Sequence, residues 1–359
     1  MLKFFRKRFG FFVLIFLFCF LMNAGRTLQA MESEDCLGTI SLQLSRSLEL
    51  ILEHVSKSIK ALAEEYARIY EATPPMDEAE KGFWMKRAFE NGKTVSFRPF
   101  SNGPEPVFQA PVPTYLFYNG RHITPHVTRE LKAFVAMVPL FKTAYQTFGY
   151  SWVYMTTADE AFFIYPYLPL KEAVNNLPPT KQDFYTVANF AGRSFGWQRP
   201  YLDLAGAGMM VTVSYPVYSR DTLLGVISRD ITLTQLSRRL LKPIAGRTGN
   251  LVSIIMDREG LAIAANRAAA TEEIDRVNTK AGRAILYYRT SRVPGNKKAV
   301  YSSNNLFNEA GENVLTCVKK DPHAGIWHLQ VKVGQTMYKA AAARISATGW
   351  LLITMDTDS

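Results

Sequence analysis

Trp197-Gln-Arg-Pro-Tyr-Leu-Asp203, then Met209-Met-Val-Thr-Val-Ser-Tyr-Pro-Val-Tyr218, then Thr222-Leu-Leu-Gly-Val-Ile-Ser-Arg-Asp-Ile-Thr-Leu233 are the segments that decide the reading of this chain. Two apolar, β-branched runs are separated by the short polar turn Ser219-Arg220-Asp221, the pattern of a β-hairpin. Asp230 stands at the far end of its second strand, and the approach through Trp197 and Tyr201 supplies aromatic rings. The hairpin therefore presents one acidic group beside several aromatic faces, which suits a cationic group.

Outward from the hairpin, helix and strand patterns alternate. Leu44, Leu48, Leu52, Val55, Ile59, Leu62, Tyr66 and Ile69 recur every three or four residues, predicting one long helix over 36–71 that Pro74-Pro75 ends. A second helix is expected over Asp77–Glu90 with Asn91-Gly92 as its stop, and a third over His126–Phe148. Between them lies a proline-rich irregular connector. Trp152–Thr157 and Phe162–Tyr165 read as paired strands around Ala158-Asp159-Glu160. Leu251–Met256 and Leu261–Ala264 repeat that layout, and further strands are expected at Asn313–Lys319, Ile326–Val333 and Trp350–Met355.

The order of the three opening segments resembles the double Cache (dCache) family of bacterial extracytoplasmic sensor domains. That family carries a W-x-x-P-Y-x-D turn, a V-T-x-S-x-P-V-Y strand and an L-L-G-V-x-x-x-D-I strand, which correspond here to the segments beginning at Trp197, Val211 and Leu223. The resemblance implies an α+β fold: a long N-terminal stalk helix (33–73) with two PAS-like antiparallel-sheet modules. The membrane-distal, ligand-binding module would be 75–240 and the membrane-proximal one 245–359. It also implies binding of a small ligand without chemistry on it. In amino-acid-binding members an R-x-W-Y segment contacts the ligand carboxylate, and a later Tyr and Asp hold its ammonium group. Here Gln182-Asp183-Phe184-Tyr185 occupies the first place, and Tyr201 and Asp230 match the second. The expected site is thus Gln182, Phe184, Tyr185, Tyr201 and Asp230. Replacing arginine by Gln182 removes a bidentate cationic clamp, so the site favours an amine over an α-amino acid.

Charge and leader set the context. The net charge is +11, and Lys3, Arg6, Lys7, Arg8 and Arg26 account for five of these charges before any acid appears. The basic start and the uncharged run Phe9–Gly25 predict an exported body, tethered by residues 1–30 as a membrane anchor or released after cleavage as a signal peptide. The body is then expected on the periplasmic or extracytoplasmic side of the inner membrane. Residues 237–298 hold thirteen Lys or Arg against five Asp or Glu, read as a solvated basic surface and not as a nucleic-acid site, since no nucleic-acid motif accompanies it. Cys36 and Cys317 are open to pairing or to remaining separate thiols. No cofactor and no metal are expected: His122 and His126 have zinc-pair spacing, but Ile123 and Pro125 do not suit a metalloprotease helix. Gly192-Arg-Ser-Phe-Gly196 matches the serine-hydrolase elbow G-x-S-x-G but lacks the flanking strand and helix, which leaves an exported hydrolase as a remote alternative. A nearer alternative is a stand-alone binding or adaptor protein acting with a separate signalling partner, since the sequence stops at Ser359 where family receptors continue into a second membrane helix. Homodimerisation through the stalk helix is a further expectation.

Overall fold

The structure, a computed structural model, describes residues 33–98, 104–148, 152–173, 177–203, 207–241 and 250–357. The expected leader 1–30 and all of the polar segment 242–249 between the two modules therefore lie outside the described residues. Among the described residues no helix is long and apolar enough to cross a membrane.

Helix α1 (Ser33–Ala72) contains no proline and buries Leu44, Leu48, Leu52, Val55, Ile59, Leu62 and Tyr66 on one stripe, with Tyr70 extending it. At 1.5 Å per residue its 40 residues run about 60 Å. That length lets one helix serve as the back wall of two sheets. Near its start the Ser41 hydroxyl donates to the Ala341 carbonyl, and near its end the Tyr66 hydroxyl donates to the Glu130 carbonyl.

Helix α2 (Glu78–Met85) opens on a capping box between Asp77 and Glu80. It ends sooner than its sequence pattern predicts. Ala88–Asn91 (β1) already pairs with Thr94–Phe97 (β2) through the turn Gly92-Lys93, so Asn91-Gly92 closes a hairpin and does not stop a helix. Thr114–Phe117 (β3) emerges from the proline-rich connector. Helix α3 (Pro125–Phe148) begins with proline at its first turn, where the missing N–H costs nothing, and Thr124 Oγ1 accepts the Val127 N–H. Val153–Thr157 (β4), Ala161–Tyr165 (β5), Gly196–Trp197 (β6), Tyr201–Leu202 (β7), Met209–Ser219 (β8) and Thr222–Thr232 (β9) complete a wholly antiparallel sheet of order β1-β2-β3-β5-β4-β9-β8-β6, with β7 also on β8.

The second module is a five-stranded antiparallel sheet. Its strands are Leu251–Met256 (β10), Ala262–Ala265 (β11), Ile326–Val333 (β12), Thr336–Ile345 (β13) and Trp350–Asp356 (β14), in the order β11-β10-β14-β13-β12. Helices α4 (Ala268–Ala281) and α5 (Asn305–Lys320) join its two halves. Asn313–Lys319, expected as a strand, is the C-terminal half of α5. Asn304 caps that helix, and Phe307, Ala310, Val314 and Leu315 bury one helical face, so the β-branched run serves a helix stripe. The fold is the expected α+β arrangement of one long helix and two antiparallel-sheet modules. A single apolar core runs through α1 and both sheets. Cys36 and Cys317 are both free thiols.

Candidate ligand-binding site

The face of the first sheet near the carboxyl-terminal half of β9 is roofed by the short turns and extended chain of 166–173, 177–203 and 207–208, not by a long helix. Beneath that roof lies a cavity of about 340 Å³, within the range of small-molecule sites. Strand alternation supplies its floor. Trp152 and Tyr154, two residues apart, share a face, as do Phe162 and Ile164 of β5, and all four line the cavity. Phe184 closes one side, its ring 5.8 Å from Phe162 and nearly parallel, and 5.4 Å edge-on to Tyr154.

Asp230 sits on this floor and is 3 % exposed. Its Oδ1 accepts from Thr212 Oγ1 at 2.6 Å, Tyr154 OH at 3.0 Å and Tyr201 OH at 3.4 Å. Register explains the first bond, because Thr212 of β8 lies directly across from Asp230. Tyr201 reaches the same corner from β7 and hydrogen-bonds Thr212 at 2.8 Å. Burial pushes the Asp230 carboxyl up to about 7; the Thr212, Tyr154 and Tyr201 hydroxyls pull it down, and the nearby Asp203 charge raises it. The same burial, with the Asp230 charge, holds the Tyr154 and Tyr201 phenols well above their ordinary value.

Of the five residues expected from sequence, Gln182, Phe184, Tyr201 and Asp230 line this one cavity. Tyr185 does not. It follows Phe184 on the helical turn Asp183–Thr186 and so points elsewhere, packing on Ala188, Val226 and Phe190. Gln182 donates its Nε2 to the Leu177 carbonyl at 3.1 Å. Several lining residues were not anticipated: Tyr118, Trp152, Tyr154, Phe162, Gln198 and Asp203. The alternation within Trp152–Thr157, read only as a strand, was the signal for Trp152 and Tyr154.

Two buried polar atoms of the lining residues have no hydrogen-bond partner, Trp152 Nε1 and Gln198 Oε1. The lining includes four carboxylates, Glu172, Asp183, Asp203 and Asp230, and among the described residues no Lys or Arg.

The Gly192–Gly196 motif takes no part. Asn189 Nδ2 donates to Ser194 Oγ at 2.9 Å within a tight turn closed by the Asn189–Ser194 bridge, with no strand-to-helix elbow. Gly196 is required for a different reason: a Cβ there would lie 1.7 Å from the Val187 carbonyl oxygen, so β6 packs directly on backbone.

Residues 119–238, which hold nearly all of the cavity, match the family model described as the methyl-accepting chemotaxis protein-like, first PDC sensor domain. Over 109 residues the chain is 28% identical to the methyl-accepting chemotaxis protein McpC of Bacillus subtilis (strain 168), a stretch covering 28% of this chain and 16% of that protein. The chain therefore spans only a small part of that relative. Among solved structures it is similar to the ligand-binding domain of the Pseudomonas aeruginosa amino-acid chemoreceptor PctC in complex with GABA (13% identity, 90% of this chain and 100% of that one, TM-score 0.48). It is also similar to the sensory domain of the Campylobacter jejuni chemoreceptor Tlp3 with isoleucine bound (12% identity, 91% and 93%, TM-score 0.48). The family match bears out the double Cache resemblance: residues 119–238 are similar to a chemoreceptor-type sensor domain. The family matched is a sensor family and not an enzyme class.

Proposed function

We infer that this chain is an extracytoplasmic receptor part that binds a small cationic amine in the first module and passes the event along α1. One observation carries the ligand class: a buried carboxylate ringed by Tyr154, Phe162, Phe184 and Tyr201, in a cavity whose described lining holds four acids and no cation. An ammonium group gains there from a charge-assisted hydrogen bond and from aromatic faces. A ligand carboxylate would meet uncompensated negative charge, so zwitterionic amino acids are disfavoured.

The route to α1 lies next door in sequence. Asp230 faces the cavity, and its β9 neighbour Arg229, on the opposite face and fully buried, donates Nη1 to Ser58 Oγ of α1 at 2.9 Å. A second guanidinium nitrogen of Arg229 donates to the Ala144 carbonyl of α3. A ligand that moves β9 thus pulls on two helices at once, and a two-state shift of α1 is the natural output. A second copy pairing through α1, tethering by residues 1–30 and a separate signalling partner all fit this role.

A thermal-shift screen of the purified chain tests the ligand class with primary and quaternary amines, α-amino acids and organic acids. Amines should raise the melting temperature in a saturable way while the acids do not. Stabilisation by acids and not by amines would overturn the reading.

A further inference from the structure

A separate cluster lies where α1 ends, α3 begins and the β4–β5 turn crosses both. His126 Nδ1 is 2.6 Å from Asp159 Oδ2 and 3.7 Å from Glu130 Oε1, and one ligand atom from each residue falls within 4.8 Å of the others. His126 and Glu130 share a face because they stand one helical turn apart on α3. Asp159 arrives from the turn, exposed enough to adjust.

Glu130 is the informative member. Its side chain is fully buried, yet neither carboxylate oxygen has a hydrogen-bond partner. The Thr157 hydroxyl favours its charged form slightly, while burial and the Asp159 charge oppose it. A buried carboxylate with only the nearby Thr157 hydroxyl, outside good hydrogen-bond geometry, to offset burial is costly unless a cation or a proton meets it. Of the two, the cation is the better fit to a corner that also gathers an imidazole nitrogen and a second carboxylate.

We propose that His126, Glu130 and Asp159 form a binding site for one first-row divalent cation of the zinc type, apart from the ligand cavity. One imidazole nitrogen with two carboxylate oxygens is a mixed N,O donor set that suits zinc, cobalt or nickel better than calcium or magnesium. Tetrahedral bonds of about 2.0–2.1 Å separate ligand atoms by about 3.4 Å. The Glu130–His126 spacing is close to that, and the exposed Asp159 carboxylate needs only to open away from His126. The site also has a line to the cavity. Glu160, next to Asp159, accepts from the Thr180 N–H at 3.2 Å and from the Thr180 hydroxyl, and Pro179 and Gln182 on either side of Thr180 and Lys181 line the ligand cavity. A bound cation would stiffen the turn that grips this wall.

The test is zinc titration of the chelator-stripped full chain by calorimetry, with bound metal counted by mass spectrometry after desalting. One equivalent should bind, and His126→Ala, Glu130→Gln and Asp159→Asn should each weaken it by at least about tenfold, while Asp230→Ala should leave it unchanged. No saturable binding, or equal binding by His126→Ala and Glu130→Gln through the dispersed His54, His122, His323 and His328, would overturn the proposal. Cobalt(II) added to the unaltered chain gives a reading that depends on no variant. A visible d–d band that zinc bleaches supports the site, and its absence overturns it.

Discussion

The two modules place an antiparallel sheet on the same helix, yet they cover it differently, and the cavity described above lies over the first. In the first, the described residues between β5 and β8 cross the sheet as short turns and extended chain, and aromatic rings prop them off the floor. In the second, the segment between β11 and β12 forms α4 and α5, whose small residues let helix and backbone touch. Gly311 of α5 lies so close to the Tyr288 carbonyl that a Cβ would come within 2.0 Å of it. Asn278 fastens the same region by accepting from the Ile285 and Leu286 N–H groups, and Glu273 accepts from Ser302 and Ser303. One sheet is thus roofed for access and the other packed closely, the contrast that the proposed division into a sensing first module and a transmitting second one requires.

The largest expected effect is on packing. Gly311→Ala should destabilise the chain by about 3 kcal/mol, since the obstacle is backbone and cannot rotate away, whereas Ala173→Val at the cavity wall should cost under about 1 kcal/mol. Chemical denaturation of both variants measures the contrast; equal losses would break it. Next in size is Asp230→Ala, which should weaken any amine found in the screen by about ten- to a hundred-fold, the worth of a charge-assisted bond of about 1.5–3 kcal/mol. Calorimetry showing unchanged affinity would remove Asp230 from the site.

A smaller effect follows from the same carboxyl. With its proton leaving at about 7, Asp230 offers full charge at pH 8 and little at pH 6, so affinity for a permanently charged quaternary ammonium ligand should fall about tenfold between them. The stability of the ligand-free protein runs the other way. The folded state holds this proton more tightly than the unfolded chain, so the contribution is full below about pH 4 and is lost as pH rises through about 7. Asp230→Ala should flatten both slopes. A persistent slope in the variant would assign it to another group.

Much of this was legible because periodicity is local. The α1 stripe and the β4–β5 and β8–β9 hairpins follow from residues spaced for one face, whereas the grouping of Phe184, Tyr201 and Asp230 came from the resemblance to the double Cache motifs. What escaped reading depends on tertiary contact. Lys339-Ala-Ala-Ala-Ala-Arg344 has helical composition but lies in β13, where small side chains let α1 approach closely enough for Ser41 to bond the Ala341 carbonyl. Val314–Val318 carries strand-forming residues but is held in α5 by its cap and buried face. Tyr185 entered the expected site through the R-x-W-Y resemblance, whereas the helical turn Asp183–Thr186 sends it and Phe184 in different directions. The His126–Glu130–Asp159 cluster joins a helix to a turn through space, and the spacing of histidines drew attention to His122 instead.

The finest test asks whether the missing cation alone sets the ligand class. Gln182 lies at the cavity wall with its amide turned to the Leu177 carbonyl. Gln182→Arg would place a guanidinium among the carboxylates Glu172, Asp183 and Asp203. Part of the new charge would be absorbed by those acids, so the gain for an amino-acid carboxylate should be modest, about tenfold, well short of a fully desolvated bidentate pair. The same substitution should slightly weaken simple amines, because it raises the potential that a cation meets on entry. Opposite signs for the two ligand classes, measured by calorimetry at one pH and ionic strength, are what the charge argument requires. A parallel gain for both would mean that the variant improves the shape of the cavity. A parallel loss would mean that Gln182 holds the Leu177 turn in place and that charge is not its contribution.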